Sequence, residues 1–311
     1  MTITQLKYVL AVAEHQNFTK AAQKTFVTQP TLSMQIQKLE DELDILIFDR
    51  SKKPIELTEI GSKIVTQARN IVNEANRITD IVDQQKGFIG GEYKLGVIPT
   101  IMPTLLPMFL TNFINKYPKV KLKIEELNTQ QIIERLEDGN LDAAIAATPL
   151  ENENIKERPL YYEPFVAYIP QNHRLYNKEI ISTADLDLND MLLLEDGHCF
   201  RDGVINLCKT VRNNQESSFS LESGSFETLV KLSNEGLGMT LLPYLHTMEM
   251  PDKDKVFFKS FEAPSPAREV SLIYHKSELK MQITEALKTT ITGIVKGAIA
   301  FQNVQIISPI K

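Results

Sequence analysis

The sequence predicts three parts in series: an N-terminal all-α winged helix-turn-helix over residues 1-58, a long linker helix and hinge over 59-90, and an α/β domain of two Rossmann-like lobes over 91-311. Three observations predict this. The first sixty residues hold three short helical patterns followed by a basic hairpin, Thr58 to Gln85 is a proline-free apolar repeat, and from Tyr93 onward strand and helix patterns alternate.

In Thr4 to His15, Leu6, Val9, Leu10 and Ala13 share one helical face. Phe18 and Thr19 open a second helix through Ala21, Ala22 and Phe26, and Val27-Thr28-Gln29-Pro30 turns tightly into a third. There Leu32, Ile36, Leu39 and Leu43 recur at spacings of three and four, a buried stripe. Thr28 fits the N-cap, and Pro30 is tolerated in the first turn because its missing N–H had no helical partner. Gln29, Thr31, Ser33 and Gln35 remain outside, short polar side chains at a helix start that can reach base edges in a major groove. Ile47 to Leu57 reads as a hairpin whose tip carries Arg50, Lys52 and Lys53, placed to lie along phosphate.

In the linker, Ile64, Ala68, Ile71, Ala75, Ile78 and Val82 alternate spacings of four and three. That is the seam of a two-helix coil, or equally the face of a helix packing on its own domain. Lys86-Gly87-Phe88-Ile89-Gly90-Gly91 supplies a flexible break.

Beyond it, Tyr93 to Ile98, Val120 to Glu125 and Leu141 to Ala147 read as strands, with helices over Pro103 to Tyr117 and Gln130 to Glu137 between them. A second series places strands at Phe165 to Ile169, Met191 to Leu194, Ser218 to Leu221 and Met239 to Leu242. Glu269 to His275 returns as a strand and Ser277 to Ala300 as a closing helix. Such alternation predicts parallel sheets covered by helices. The chain would cross between lobes near Glu163-Pro164 and again near Pro264 to Arg268, giving lobe I about 91-163 and 268-300 and lobe II about 164-267. Tail residues Phe301 to Lys311 carry no pattern.

Composition bounds the function. Charged residues make up 24% and hydrophobic ones 42%, ordinary for a soluble globular protein. No run approaches the roughly 18 apolar residues of a membrane span, and the first residues lack a basic-then-apolar pattern, so a cytoplasmic protein without membrane association is expected. At a net charge of −6, nucleic-acid binding must rest on a local surface.

The two cysteines, Cys199 and Cys208, lie nine residues apart in Leu192 to Cys208. Leu192-Leu193-Leu194 reads as a strand end, Asp196-Gly197 as a turn, and Val204, Leu207, Cys208 and Val211 as one face of a helix. Cys199 then sits at a helix start, where N–H dipoles, His198 and Arg201 would lower a thiol pKa, and Cys208 sits on the apolar side. Nine residues of helix span about 13 Å, while bridged Cα atoms lie within about 7 Å, so joining the sulfurs requires unwinding. A buried structural pair is the plainer alternative. The spacing matches neither CxxC nor a zinc knuckle, and no metal or cofactor is expected. Thr100 and Thr129 fall just past strand ends, where open α/β sheets bind ligands; each alone fits an N-cap better than a site, and their convergence with a perturbed cysteine is what favours a site. Ser223-Gly224-Ser225 could cradle an anion at the next helix start. His15, His173, His246 and His275 are scattered and read as structural or solvated.

Two stretches carry a family resemblance. Phe18 to Leu39, with Ala21-Ala22, Thr28-Gln29-Pro30-Thr31-Leu32-Ser33 and Ile36-Lys38-Leu39-Glu40, resembles the DNA-binding motif of the LysR-type transcriptional regulators. Glu195-Asp196-Gly197-His198-Cys199-Phe200-Arg201-Asp202 followed by Cys208 resembles the sensing segment of that family's peroxide-responsive branch. The likeness spans nearly the whole chain. One departure is that the second helix offers only Lys20 and Lys24 where relatives often carry arginines. The resemblance implies a periplasmic-binding-protein-like effector domain and a groove-facing set of Thr28, Gln29, Thr31, Ser33 and Gln35. It also implies a linker helix that pairs two subunits, and a peroxide pocket built from Thr100, Thr129, His198, Cys199, Arg201 and Asp202 with Arg268 nearby. The implied chemistry is oxidation of Cys199 by hydrogen peroxide, a Cys199–Cys208 disulfide, and reset by a cellular thiol reductant system. Implied partners are double-stranded DNA, RNA polymerase and further copies of the chain, as homodimer and homotetramer. Three rivals stand beside it: a LysR-type regulator of a small anionic effector in the interlobe cleft, a peroxidase using the same thiol, and a DNA-binding module without any effector.

Overall fold

The computed structural model describes residues 1–85, 89–208, 223–278, 280–299 and 304–309. It divides into two compact units, Met1–Phe88 and Ile89–Lys311.

In the first unit, α1 (Ile3–His15), α2 (Phe18–Lys24) and α3 (Gln29–Leu43) enclose a core of Leu6, Val9, Val12, Phe18, Ala21, Ala22, Leu32, Ile36 and Leu39. Each helix begins on a side-chain cap: Thr2 accepts from Gln5 N, Asn17 from Lys20 N and Thr28 from Thr31 N. Two expectations fail here. The second helix stops at Lys24, where the Thr25 hydroxyl donates back to the Ala21 carbonyl (2.9 Å), and Phe26 takes φ 58° and is 94% exposed rather than part of the helical face. Leu43 drops out of the buried stripe because the helix ends there, and its place beside Leu39 goes to Glu40. The wing is the antiparallel pair β1 (Phe48–Asp49) and β2 (Glu56–Leu57).

Next comes α4 (Glu59–Gln85), 27 residues long. Gly61 approaches the Ile47 carbonyl so closely that a Cβ would strike it, which lets the helix start against the wing. The first half of α4 buries Val65, Ala68 and Val72 against the helical core, with Ile64 and Ile71 half-buried beside them. Its second half leaves Ile78, Ile81 and Val82 exposed. The apolar repeat thus divides: early turns complete the domain, late turns present an open face.

The second unit starts with β3 (Gly91–Val97), α5 (Met102–Lys116), β4 (Val120–Glu126), α6 (Thr129–Glu137) and β5 (Ala143–Thr148). Strands β4 and β5 flank β3 in parallel, as alternation predicted, so all three carboxyl ends meet at one sheet edge. The fourteen-residue β6 (Ile155–Tyr168) then leaves this lobe for the second, which holds β7 (Ile180–Ile181), α7 (Cys199–Leu207), α8 (Phe226–Asn234), β8 (Thr240–Pro243), α9 (Tyr244–Met248) and β9 (Phe258–Phe261). The chain returns along β10 (Ser265–His275), closes with α10 (Met281–Ala298) and adds β11 (Val304–Ile306).

Because β10 runs antiparallel to both β5 and β6, the sheet is mixed rather than parallel throughout, in the order β4-β3-β5-β10-β6-β9-β7. The two crossings form one ribbon, with Ala267 opposite Pro164 and Arg268 opposite Glu163. Met191 to Leu194 is not a strand but a single bridge from Met191 to Met239, and the closing helix starts at Met281 instead of Ser277. The strand expected at Ser218 to Leu221 lies outside the described residues, as do Val211 and Lys86 to Phe88. Strands β7, β9 and β11 are short and gave no alternating pattern. Each lobe has its own core, one around Leu95, Phe109, Ile145, Leu272 and Leu287, the other around Tyr168, Leu194, Leu207, Leu241 and Phe261.

Candidate functional site

Cys199 opens α7, and its side chain packs into the core of the first lobe, while Phe200, Val204 and Leu207 pack into the core of the second. The helix is therefore planted across the lobe boundary with one thiol on the far side. Cys208, the residue capping α7 in extended conformation, packs against the second core. Both thiols are free, and a regular nine-residue helix separates them. Cys208 thus follows the helix, instead of lying on its apolar face as the spacing had indicated.

The surroundings of Cys199 come from the carboxyl edge of the sheet. Thr100 follows β3, Thr129 is the first residue of α6, and Ala147 is the next-to-last residue of the fully buried β5. Asn128 caps α6, accepting from Gln131 N at 2.9 Å, and so fixes Thr129 at the helix start. Burial pushes the Cys199 thiol up from its ordinary pKa. Three groups oppose that rise by favouring the thiolate: the Arg268 charge, the Thr129 hydroxyl and the Ala147 N–H. The Thr129 hydroxyl oxygen is itself buried without another hydrogen-bond partner. The sequence had assigned a lowered pKa to His198 and Arg201. Instead Arg201 turns away, donating to the Leu194 carbonyl (2.9 Å) and pairing with Asp196 (2.8 Å), and Asp202 disfavours the thiolate. Arg201 helps fold the 194–196 turn.

Arg268 lies in the ribbon between lobes. Its Nη1 donates to Thr100 Oγ1 (3.0 Å) and Nη2 to the Thr100 carbonyl (3.1 Å), while Nε and Nη2 both donate to Glu163 Oε2 (2.9 and 2.7 Å). Its guanidinium stands over the Phe200 ring, 5.2 Å from the centroid. Glu163 Oε1 accepts from Leu245 N at 2.9 Å. Glu163, Phe200 and Ala147 had escaped sequence reasoning. Glu163 did leave a signal, a carboxylate between Tyr161 and Phe165 in an apolar strand, which requires a buried partner.

A cavity of about 230 Å³ is lined by Pro99, Glu126, Leu127, Asn128, Gln131, Glu195, Asp196, Gly197 and His198. Three of these, Pro99, Asn128 and His198, immediately precede Thr100, Thr129 and Cys199 in the chain. His198 is buried with Nε2 3.4 Å from Glu195 Oε1. Both atoms lie close to Gly224, where a Cβ would meet them at 3.1 and 3.0 Å. The anion cradle expected at Ser223-Gly224-Ser225 therefore faces a carboxylate. Among the described residues no cluster of three or more His, Cys, Asp or Glu side chains could hold a metal ion, and no helix is long and apolar enough to cross a membrane.

In the first unit, Gln29 and Thr31 are exposed at the start of α3, with Thr28 and Thr31 hydroxyls 2.8 Å apart. Ser33 and Gln35 are half-buried at the edges of the open face, which also presents Met34, Gln37 and Lys38. Lys52 and Lys53 are exposed on the wing. Arg50 folds back instead: Nη2 donates to Glu40 (2.7 Å) and the guanidinium covers the Phe18 ring at 5.1 Å. Buried Glu40 also accepts from Ile47 N and Phe48 N at 2.8 and 3.2 Å, tying the wing to α3.

Residues 3–62 match the model of the bacterial regulatory helix-turn-helix proteins of the lysR family, and residues 86–292 match the LysR substrate binding domain. The chain belongs to the lysR family. Among lysR-family relatives, a hydrogen peroxide-inducible genes activator of Pectobacterium carotovorum is 35% identical over 96% of this chain and 98% of its own length. The DNA-binding transcriptional dual regulator OxyR of Escherichia coli is 35% identical over 94% of this chain and 97% of its own. Full-length OxyR of Pseudomonas aeruginosa, solved with a cysteine-to-aspartate substitution, superposes with a TM-score of 0.79 at 34% identity, covering 94% of this chain and 98% of that one.

Proposed function

We propose that this chain is a LysR-type transcriptional regulator that senses hydrogen peroxide through Cys199. One observation carries the reading: Cys199 sits in the first lobe's core, next in the chain to His198 of a polar cavity, and a short helix holds its partner thiol against the other core.

In this mechanism the Cys199 thiolate, favoured by Arg268, the Thr129 hydroxyl and the Ala147 N–H, attacks one peroxide oxygen. The O–O bond breaks, the departing hydroxide takes a proton and leaves as water, and Cys199 becomes a sulfenic acid. Thr100 and His198 line the approach and orient the peroxide. Unwinding of α7 releases Cys208 from the burial that keeps it protonated; its thiolate then attacks the sulfenic sulfur, the departing hydroxide takes a proton to leave as a second water, and a disulfide remains. Since about 13 Å of helix separates the residues, α7 must unwind, and Cys199 must exchange one core for the other. That transfer across the lobe boundary is the switch. A thiol reductant system reverses it. As a sensor rather than a peroxidase, the chain should show little steady-state peroxide consumption with a reductant present.

The response reaches double-stranded DNA through Thr28, Gln29, Thr31, Ser33 and Gln35 on α3, with Lys52 on phosphate and Arg50 bracing the wing. The chain acts in the cytoplasm as a homodimer that assembles to a tetramer and contacts RNA polymerase. The open face of Ile78, Ile81 and Val82 on α4 supports the pairing. Against the anionic-effector alternative stand the carboxylates of Glu126, Glu195 and Asp196 around the cavity.

Peptide mapping after mild peroxide treatment tests the reading. A Cys199–Cys208 linked pair is expected, and Cys208→Ser should abolish the peroxide-induced change in DNA footprint and transcription. An unchanged response in that variant would refute the switch.

A further inference from the structure

The cavity lined by His198, next to Cys199 in the chain, has an uneven charge distribution that the mechanism leaves unused. Its lining includes Glu126, Glu195 and Asp196 and, among the described residues, no lysine or arginine. Glu126 ends β4 exposed to water. The side chain of Glu195 is 45% exposed and that of Asp196 is 92% exposed. One cation stands close, Arg201, and Asp196 holds it at 2.8 Å. Beneath, Arg268 is buried and tied to Glu163 at 2.7 Å. A molecule entering by this cavity therefore meets three carboxylates and one cation, Arg201, short of the buried Arg268. Size offers little selection, because about 230 Å³ is the room of roughly eight waters at about 30 Å³ each. Charge is left as the filter.

We propose that Glu126, Glu195 and Asp196 form an anion-repelling mouth that sets which oxidants reach Cys199, passing neutral peroxide and holding back oxidants that carry a negative charge. The inference rests on Cys199 being the oxidant-sensing thiol. The groups are exposed, so each acts over about a Debye length through water, and the repulsion is a rate effect that salt weakens. Each carboxylate slows an anion about two- to threefold at low ionic strength. A neutral oxidant gains no such penalty, and the buried thiol's own chemistry is untouched.

The test compares two oxidants on the full-length reduced protein, following loss of the Cys199 thiol by alkylation trapping. Hydrogen peroxide is the neutral probe. Peroxymonosulfate is the anionic probe; thiolate attack on its terminal peroxide oxygen gives the same sulfenic acid and releases sulfate. The readout is the ratio of anionic to neutral rate constants. In Glu126→Gln/Asp196→Asn the ratio should rise about fivefold at low salt, with the hydrogen peroxide rate unchanged, and Glu126→Lys should raise it alone. Added salt should raise the ratio in the unmodified protein and leave it nearly flat in the double variant. A ratio that ignores both substitution and salt, while hydrogen peroxide still oxidises Cys199 rapidly, overturns the mouth alone. If hydrogen peroxide reacts with Cys199 no faster than with free cysteine, the sensing reading falls and the mouth with it.

Discussion

Glu163 on β6 and Arg268 on β10 face each other across the ribbon that joins the lobes, bound by hydrogen bonds of 2.7 and 2.9 Å with both side chains almost wholly out of water. The same guanidinium reaches Thr100 and faces Cys199. A buried pair of this kind contributes less to net stability than its breakage costs, because the survivor is left charged and unsolvated. Glu163→Ala should therefore destabilise the regulatory unit by about 3 to 5 kcal/mol. In Glu163→Gln/Arg268→Met, which removes both charges together, most of that loss should disappear. Chemical denaturation of the three proteins measures the difference.

Arg268 also matters to the thiol. Burial raises the Cys199 pKa and the Arg268 charge partly offsets the rise. Removing that charge leaves burial less opposed, so the pKa climbs further and the thiolate becomes scarcer at neutral pH. In the double variant the pH profile of Cys199 alkylation should move to the alkaline side, with slower labelling throughout the neutral range. A profile that stays in place would mean that Arg268 does not act on the thiol.

How far the sequence reaches is clear from such residues. Pattern located α1, α3, α5, α6 and β4 because each has one face in a core, and β5, β8 and most of β10 because strands buried on both faces read as apolar runs. It also put Thr100 and Thr129 just past neighbouring strand ends, since parallel strands bring their carboxyl ends together, whereas the strand expected before Cys199 at Met191 to Leu194 is only a bridge. Charged side chains were less legible. Arg50 and Arg201 looked free to meet a ligand, yet each is held by a carboxylate, at 2.7 and 2.8 Å, whose proximity only the fold creates. Glu163 and Arg268 are 105 residues apart in the chain, a separation across which a pattern cannot pair them. Phe26 fitted a helical face by spacing, but a local hydroxyl bond and a left-handed backbone ended the helix first.

Cys208 predicts an alkaline limit on stability. Burial, followed by the nearby Asp187 and Asp190 carboxylates, raises its pKa to about 12 from an ordinary value of 9.0. The folded chain thus keeps its proton where the unfolded chain has lost it. Stability from this source is fully present below pH 9.0 and is lost as pH climbs from there to about 12. In Cys208→Ser, which has no thiol to ionise, unfolding midpoints should fall less steeply over that range. Equal slopes in the two proteins would contradict the placement of Cys208 against the second core.

The wing makes a prediction about DNA. Arg50 and Lys52 both lie beside the tip of the hairpin, but the Arg50 guanidinium is neutralised by Glu40 at 2.7 Å and braced on Phe18, whereas Lys52 is exposed. A cation that neutralises a phosphate contributes about one to the slope of log affinity against log salt. Lys52→Ala should lower that slope by about one and weaken binding to all sequences alike. Arg50→Ala should leave the slope nearly unchanged, because its charge is already spent on Glu40, and should weaken binding by loosening the wing from α3. Titration of the full-length protein onto operator DNA at several salt concentrations separates the two, and a unit loss of slope in Arg50→Ala would put that guanidinium on phosphate after all.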